Sequence, residues 1–403
     1  MSENNVRMAT SARPTRAARW LAATLVAALV AGAAASAATG NTFRFEGRGY
    51  GHGVGMSQFG ARGAALAGLD AKRILAHYYR HTSLSKVPQT SLRVRIAESR
   101  ARVTLGGEVA VRAIATGESA QTTLSRNASF RAVVRNGVVE IVGHTGRVRL
   151  RASRTALLWP ARPRGMLTMN GRRFRGALQI VPVGQRRFDV VNVVNLEHYL
   201  AGVLPREVPA DWGDDTPAAL EAQAIAARSY ALASRQPGSH FDLHADVRSQ
   251  VYGGADGEDP RTTAAVRATR GAVVTHGGKV ITAFFFSTSG GRTENVENVF
   301  GGDPQPYLVS VRDPYDRTSP YHRRWPDPPT VSGARLGALL GLGSPVRSFR
   351  VAQRGASPRV ISAQVQTADG QVHTVSGATV RRALKLRDTW FRVVRTAMPP
   401  AGG

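Results

Sequence analysis

A chain of 403 residues with a net charge of +27 and no cysteine excludes a disulfide scaffold and a lipid-modified cysteine, so stability must come from buried apolar surface. Fifty arginines stand against four lysines (Lys72, Lys86, Lys279 and Lys385), which points to an anionic partner: nucleic acid, a membrane surface or a cell-wall polymer. Nucleic acid is disfavoured, because the arginines are scattered, aromatics make up only 7% and no nucleic-acid-binding module is recognisable.

The N-terminal segment, residues 1–38, carries Arg7, Arg13, Arg16 and Arg19, then an alanine-rich apolar run from Trp20, then Ala35-Ser36-Ala37. That is the grammar of a secretory signal peptide with a small-x-small cleavage site. No two arginines are adjacent, which fits the general export route better than the twin-arginine one. The run also nears the roughly 20 residues that span a bilayer, so the alternative is an uncleaved anchor. Both readings put the bulk of the chain outside the cytoplasm and let it meet a membrane only through this segment.

Next comes "EGRGYGHGVGMSQFGARGAALAG" (46–68), with glycine at 47, 49, 51, 53, 55, 60 and 63. A phosphate cradle of the GxGxxG type fails on spacing, since Val54, Met56 or Gln58 holds the place of the third glycine, and there is no GxxxxGK[ST]. Leu66, Leu69, Ile74, Leu75 and Tyr78 follow at helical spacing, so the region reads as strand, tight turn and helix. The glycines are expected to let the backbone approach another element or a ligand.

Residues 91–185 alternate in short runs such as "SLRVRIAES" and "FRAVVRNGVVEIVG", punctuated by Asn136-Gly137 and Asn170-Gly171, and read as β-rich with hairpins. After them Thr216 is placed to cap a helix that has Pro217 at its first position and runs to Arg235. On that helix Gln223 and Tyr230 share one face, while Glu221 and Arg228 share the opposite one. One pair is expected to line a site and the other to face solvent or a neighbouring element.

Read together, "GRGYGHGVGMSQFGARGAALAG", "LEHYLAGVLPREVPADW", "LEAQAIAARSYALA", "SQVYGG", "TRGAVVTHGGKVITAFFFSTSGGRTENVENVFGG" and "PYLVSVRDPYD" closely resemble the stage II sporulation protein D family, SpoIID/LytB. The resemblance covers most of 43–82 and 90–396. It implies an α+β fold with a β-rich lobe, a mixed catalytic lobe and a glycan groove. The implied organisation is a glycine segment at 41–85, a β-rich lobe at 90–185, a catalytic core at 186–330 and a completing segment at 331–396. The implied function is a cell-wall one: either a lytic transglycosylase cutting peptidoglycan between MurNAc and GlcNAc, or an enhancer of a cell-wall amidase.

Three departures stand out. The GHGVGMSQ segment normally follows a phrase like "LRDTWF"; here that phrase lies at 386–391 and the segment comes first, which looks like a circular permutation. If so, the strand around Phe43–Phe45 should lie beside the one around Trp390–Val393. Some members resemble zinc proteins with cysteine and histidine ligands near SQVY, whereas here His244, Arg248 and Ser249 occupy those places. That leaves His240, Asp242 and His244 as the candidate metal ligands, short of a good zinc set, and no cofactor is expected. Last, the lysine common before Ala-Gln is Glu221 here.

Glycosidic cleavage needs a proton on the leaving oxygen, and ordinary glycosidases add a second carboxylate. A lytic transglycosylase needs one acid, because the sugar's own 6-hydroxyl attacks C1 and gives its proton back to the same group. The resemblance assigns this role to Glu207, which lies between Pro205 and Pro209 with Val208 and Trp212 nearby to desolvate it. It implies a polar glycan lining from His52, Ser57, Gln58, Gln223, Arg228, Tyr230, Tyr252, Ser287, Ser289, Thr293 and Glu294. "FSTSGG" around Ser289 is not G-x-S-x-G, so a serine hydrolase is not indicated.

Overall fold

The computed structural model describes residues 41–397, so the expected signal or anchor segment lies outside the described residues. The fold is α+β, with several sheets and helices set between and beside them. Among the described residues no helix is long and apolar enough to cross a membrane.

Alternation in the 91–195 stretch builds two sheets. In the strand Ser91–Arg100, Leu92 and Val94 are buried while Arg93 and Arg95 emerge on the other face, the period of two expected of a half-buried strand. That strand pairs with Phe188–Asn195 in a seven-stranded sheet, and Phe130–Arg135, Val138–Gly143 and Arg102–Gly107 belong to a six-stranded one. Both Asn-Gly pairs make the expected two-residue hairpins. Asn136 and Gly137 have φ of 50° and 78°, and Asn170 and Gly171 have 50° and 81°. Two positive φ values in succession match the right-handed twist of the flanking strands. The inner faces of both sheets share one apolar cluster with Leu196, Tyr199, Leu200, Val203 and Leu204 from the helix Leu196–Glu207.

A second cluster gathers around the glycine segment. The apolar run after it forms two helices, Gln58–Leu66 and Ala71–Tyr78, rather than one, because Gly68 at φ 83° breaks the first and Asp70 caps the second. They pack on the helix Pro217–Ala233 through Ala219, Ala222, Ile225 and Ala226. That helix starts at Pro217 as expected, but Thr216 does not cap it. Its hydroxyl instead donates to the Trp212 carbonyl (2.8 Å), closing the short turn before the helix.

The third cluster joins the two ends of the described chain. Strand Asn41–Gly47 pairs antiparallel with Phe391–Ala397, placing Phe45 opposite Val393, so the adjacency expected above is present. Phe43, Phe45, Trp325 and Phe391 are buried there.

The glycine turn presses on a buried ion pair. Arg359 grips Asp388 through two hydrogen bonds (2.9 and 2.8 Å), both side chains being at most 1% exposed, and donates further to the carbonyls of Arg292 and Ser289. A Cβ on Gly53 would lie 2.4 Å from Arg359 Nε, and one on Gly49 would lie 2.5 Å from Asp388 Oδ2. The close approach required of this backbone is therefore to the core. Gly53→Ala, at φ 89°, is expected to destabilise the protein by about 1–3 kcal/mol, measured as a lower urea midpoint. A midpoint within error of the parent would contradict this packing.

Candidate active site

The helix Leu196–Glu207 is capped at its start by Asn195, whose side chain accepts from the Glu197 N–H, and it ends where Pro209 demands it. A residue before proline is driven out of the helical region, and Val208 is extended at φ −134°, ψ 149°. Glu207 is thereby the last helical residue, at the negative end of the helix dipole, where a carboxylate is least welcome. It is mostly buried. Burial pushes its carboxyl up to about 7, and a backbone N–H from Val251 only partly opposes this. No charged side chain is among the causes. Val208 and Trp212, just beyond, bury into a small apolar cluster with Leu220 and Ala265, against which Phe59 packs.

The Ser249–Tyr252 segment braces this helix end. Val251 supplies the N–H to Glu207, Gln250 accepts from the Tyr199 hydroxyl (3.2 Å), and Tyr252 donates to Asn192 (2.9 Å). From the glycine segment, Ser57 caps the helix Gln58–Leu66 through the Gly60 N–H, and its hydroxyl faces the Ser287 carbonyl (3.4 Å). Gln58 reaches across to donate to the Glu207 carbonyl (3.1 Å). Tyr230, half-buried against Phe284 and Phe285, feels the Glu207 charge, which helps burial to raise its phenol. Gln223, on the same helix face, is 1% exposed, and neither end of its amide has a hydrogen-bond partner among the described residues. It is a buried polar group without a partner among those residues, enclosed within the fold.

Of the residues expected to line a groove, Gln58 and Tyr230 are thus brought to Glu207, with Ser57 and Ser287 meeting beside Gln58. Others are placed differently. Arg228 is fully buried, bidentate to Glu197 (2.6 and 3.1 Å) and donating to the Ala272 carbonyl (3.0 Å), so its guanidinium is spent inside the fold. Glu294 is likewise enclosed and accepts from the N–H groups of Asn295, Ala356 and Ser357, pinning the 355–357 loop. Thr293 accepts from the Val311 N–H (2.8 Å), and Tyr252 is buried with its hydroxyl on Asn192. Ser289 donates to Asp316 (2.8 Å), which also holds His322; with the acid in the middle there is no base to activate that serine.

His52 packs against Phe284, Phe286 and Phe300 and takes the Val54 N–H on Nδ1 (3.1 Å). Burial, with Arg381 and Arg359 adding to it, lowers its pKa to about 3, so the ring is neutral and acts as a packing element. These placements could not be read locally, because partners that fix them, such as Glu197 for Arg228, the 356–357 backbone for Glu294 and Phe284 for His52, lie far away in the chain. The contribution of Val251 was missed for the same reason, since its part is played by a backbone N–H that no side-chain pattern reports.

The candidate metal ligands are each engaged elsewhere. His240 meets Asp189 (2.9 Å), Asp242 accepts from the backbone N–H and guanidinium of Arg93 (2.8 and 2.9 Å), and His244 faces Arg95 (3.2 Å). Among the described residues no group of three or more His, Asp or Glu is arranged to hold a metal ion. Treatment with a chelator is accordingly expected to leave the melting temperature unchanged. A fall of several degrees, reversed by zinc and absent after His240→Ala, would contradict this. A cavity of about 930 Å³ is lined by Trp159, His198, Arg267 and Arg270 among others and does not include Glu207.

Fold and site together define a class: an α+β protein carrying a desolvated carboxyl at a helix end, with Gln58 and Tyr230 brought to it. Comparison narrows it. Residues 184–276, which contain Glu207, Gln223, Tyr230 and the SQVY segment, match the SpoIID (stage II sporulation protein) family model. It is 31% identical over 228 residues to stage II sporulation protein D of Bacillus subtilis, covering 52% of this chain and 64% of that one. An uncharacterized protein of Brachyspira hyodysenteriae is 39% identical over 150 residues, 36% of this chain and 39% of the other. The amidase enhancer of Bacillus subtilis is 36% identical over 117 residues, 29% of this chain and 15% of the enhancer. The matches thus span less than two thirds of each of these relatives. No solved structure matches the chain significantly.

Proposed function

We propose that this is an exported cell-wall protein that cleaves peptidoglycan glycan strands as a lytic transglycosylase, with Glu207 as the single acid and base. The observation that carries the reading is the Glu207 carboxyl, held at about 7 by burial with no charged side chain contributing. A group with that pKa is still partly protonated at neutral pH and can give a proton to the glycosidic oxygen. As the bond breaks, the C1–O4 electron pair leaves with the proton. The resulting carboxylate then takes the proton of the sugar's 6-hydroxyl as that oxygen closes on C1, giving a 1,6-anhydro ring. One carboxylate suffices for this cycle, whereas a hydrolase would call for a partnered pair. Tyr230, half-buried and sensing the Glu207 charge, supplies a polar contact of the kind sugar hydroxyls take.

The match to the amidase enhancer supports a second reading, in which the same surface binds the wall and stimulates an amidase without cutting. Incubating the purified protein with peptide-free glycan and reading products by mass spectrometry separates the two. Fragments ending in 1,6-anhydroMurNAc support the transglycosylase. Bound but intact glycan, with an amidase stimulated equally by the parent and by Glu207→Gln, replaces it with the enhancer. Reducing ends without the anhydro ring would mean a hydrolase. The segment order is read as a circular permutation that preserves neighbours, since Gly51 N–H donates to the Arg387 carbonyl and Arg48 N–H to that of Trp390.

A further inference from the structure

Where the two ends of the described chain meet, a groove of about 660 Å³ opens between the strands Asn41–Gly47 and Phe391–Ala397 and the loop at 323–328. Six arginines line it against one carboxylate, Glu46, which Arg392 already holds (2.9 and 2.7 Å) with Arg44 beside it (3.4 Å). Arg48, Arg323, Arg324 and Arg354 have no carboxylate partner among the described residues, and Asp327 of the same loop is not on the wall. Six like charges in one groove repel one another, an arrangement that an anionic occupant relieves.

The base of the groove is rigid. The Trp325 N–H donates to the Gly47 carbonyl (2.7 Å) and its indole N–H to that of Gly49 (2.8 Å). A Cβ on Gly47 would lie 2.5 Å from both the Trp325 ring and the Trp390 carbonyl. The Arg48 guanidinium sits over the Trp390 ring, 4.6 Å from its centroid, a cation–π contact that restrains it. Arg354 is tied to the Phe391 carbonyl (3.1 Å). Arginines fixed in this way lose little freedom when they bind.

We infer that this groove binds a phosphodiester-bearing polymer. Several positive charges along one channel ask for a ligand with a charge in every repeat, which a lone carboxylate does not provide. Arginines converging from separate segments suit the tetrahedral oxygens of a phosphodiester, which accept from several directions, better than a planar carboxylate. Such a contact would hold an exported protein on an anionic wall, and it is independent of Glu207.

The test uses the whole protein and a fluorescently labelled glycerol-phosphate oligomer, with binding followed by anisotropy over a range of salt. Arg323→Glu/Arg324→Glu changes two exposed, unpartnered side chains and should keep the parent melting temperature. Its matched control, Arg131→Glu/Arg149→Glu, makes the same charge change on the six-stranded sheet, again at exposed residues. The groove variant is expected to bind at least about tenfold more weakly and the control within about twofold of the parent, with parent affinity falling as salt rises. Equal losses in both variants would show that overall charge does the binding and would overturn the site. Equal binding of a polyuronate of the same length would overturn the phosphodiester assignment. So would tighter binding of anionic phospholipid vesicles, whereas tighter binding of a single-stranded oligonucleotide would keep the phosphodiester and overturn the cell wall as its source. Glu207→Gln is expected to bind the oligomer like the parent, so failure here and failure of the transglycosylase reading are separately visible.

Discussion

Glu207→Gln is expected to lower glycan cleavage by at least about 100-fold while glycan binding persists, the loss typical of removing a general acid and base. The amide preserves size and still accepts from the Val251 N–H, but it has no proton to give. In the parent, the acid role requires the protonated form, so cleavage should fall as pH rises through about 7. The same shift has a signature in stability. The folded-state carboxyl sits above its ordinary value of 4.5, so its contribution is fully present below about 4.5 and is lost as pH rises through about 7. The glutamine variant lacks that loss. Relative to the parent it should gain roughly 1–3 kcal/mol between pH 5 and pH 8, discounted for partial exposure and read from urea unfolding at both pH values. His52 slopes the other way, since its lowered pKa costs stability as pH falls below about 6.5, but it is common to both proteins and cancels in the comparison. A variant that cuts normally, or a stability difference that does not change with pH, would remove Glu207 from the role assigned to it.

Asp388→Ala is expected to destabilise the protein by about 3–5 kcal/mol, because it strands the Arg359 guanidinium in the interior without its counter-charge. The pair lies under the glycine turn, and Arg359 also ties the Ser289 and Arg292 carbonyls to the C-terminal segment, so the damage falls where three parts of the chain meet. Asp388→Ala/Arg359→Met removes the stranded charge and should recover part of the loss. Urea unfolding of the two variants checks this. A cost below about 1 kcal/mol for Asp388→Ala, or a double variant less stable than the single one, would show that the pair does not hold the turn.

The local features were legible because they depend on neighbours in sequence. Asn136-Gly137 and Asn170-Gly171 could only be hairpin turns, since both residues of each pair need positive φ. The apolar alternation of Leu92 and Val94 set one face of a strand, and Pro217 marked where a helix begins, because proline is preorganised for the first helical position. Glu207 was singled out by the family resemblance of its segment rather than by local pattern. What local pattern does not contain is the partner. Gly49 and Gly53 are glycine because of Asp388 and Arg359, from the far end of the chain, and Arg228 and Glu294, polar enough to suggest a binding surface, are consumed by Glu197 and by the 355–357 loop. Burial and hydrogen bonding are sums over all neighbours in space, whereas periodicity and turn chemistry are sums over neighbours along the chain. Hairpin turns and strand faces were therefore determined by sequence alone, whereas the split of the Gln58–Tyr78 region into two helices was not. Only the tertiary structure decided which polar side chains remain free to act, and that Glu207, desolvated at a helix end, holds its proton near neutral pH.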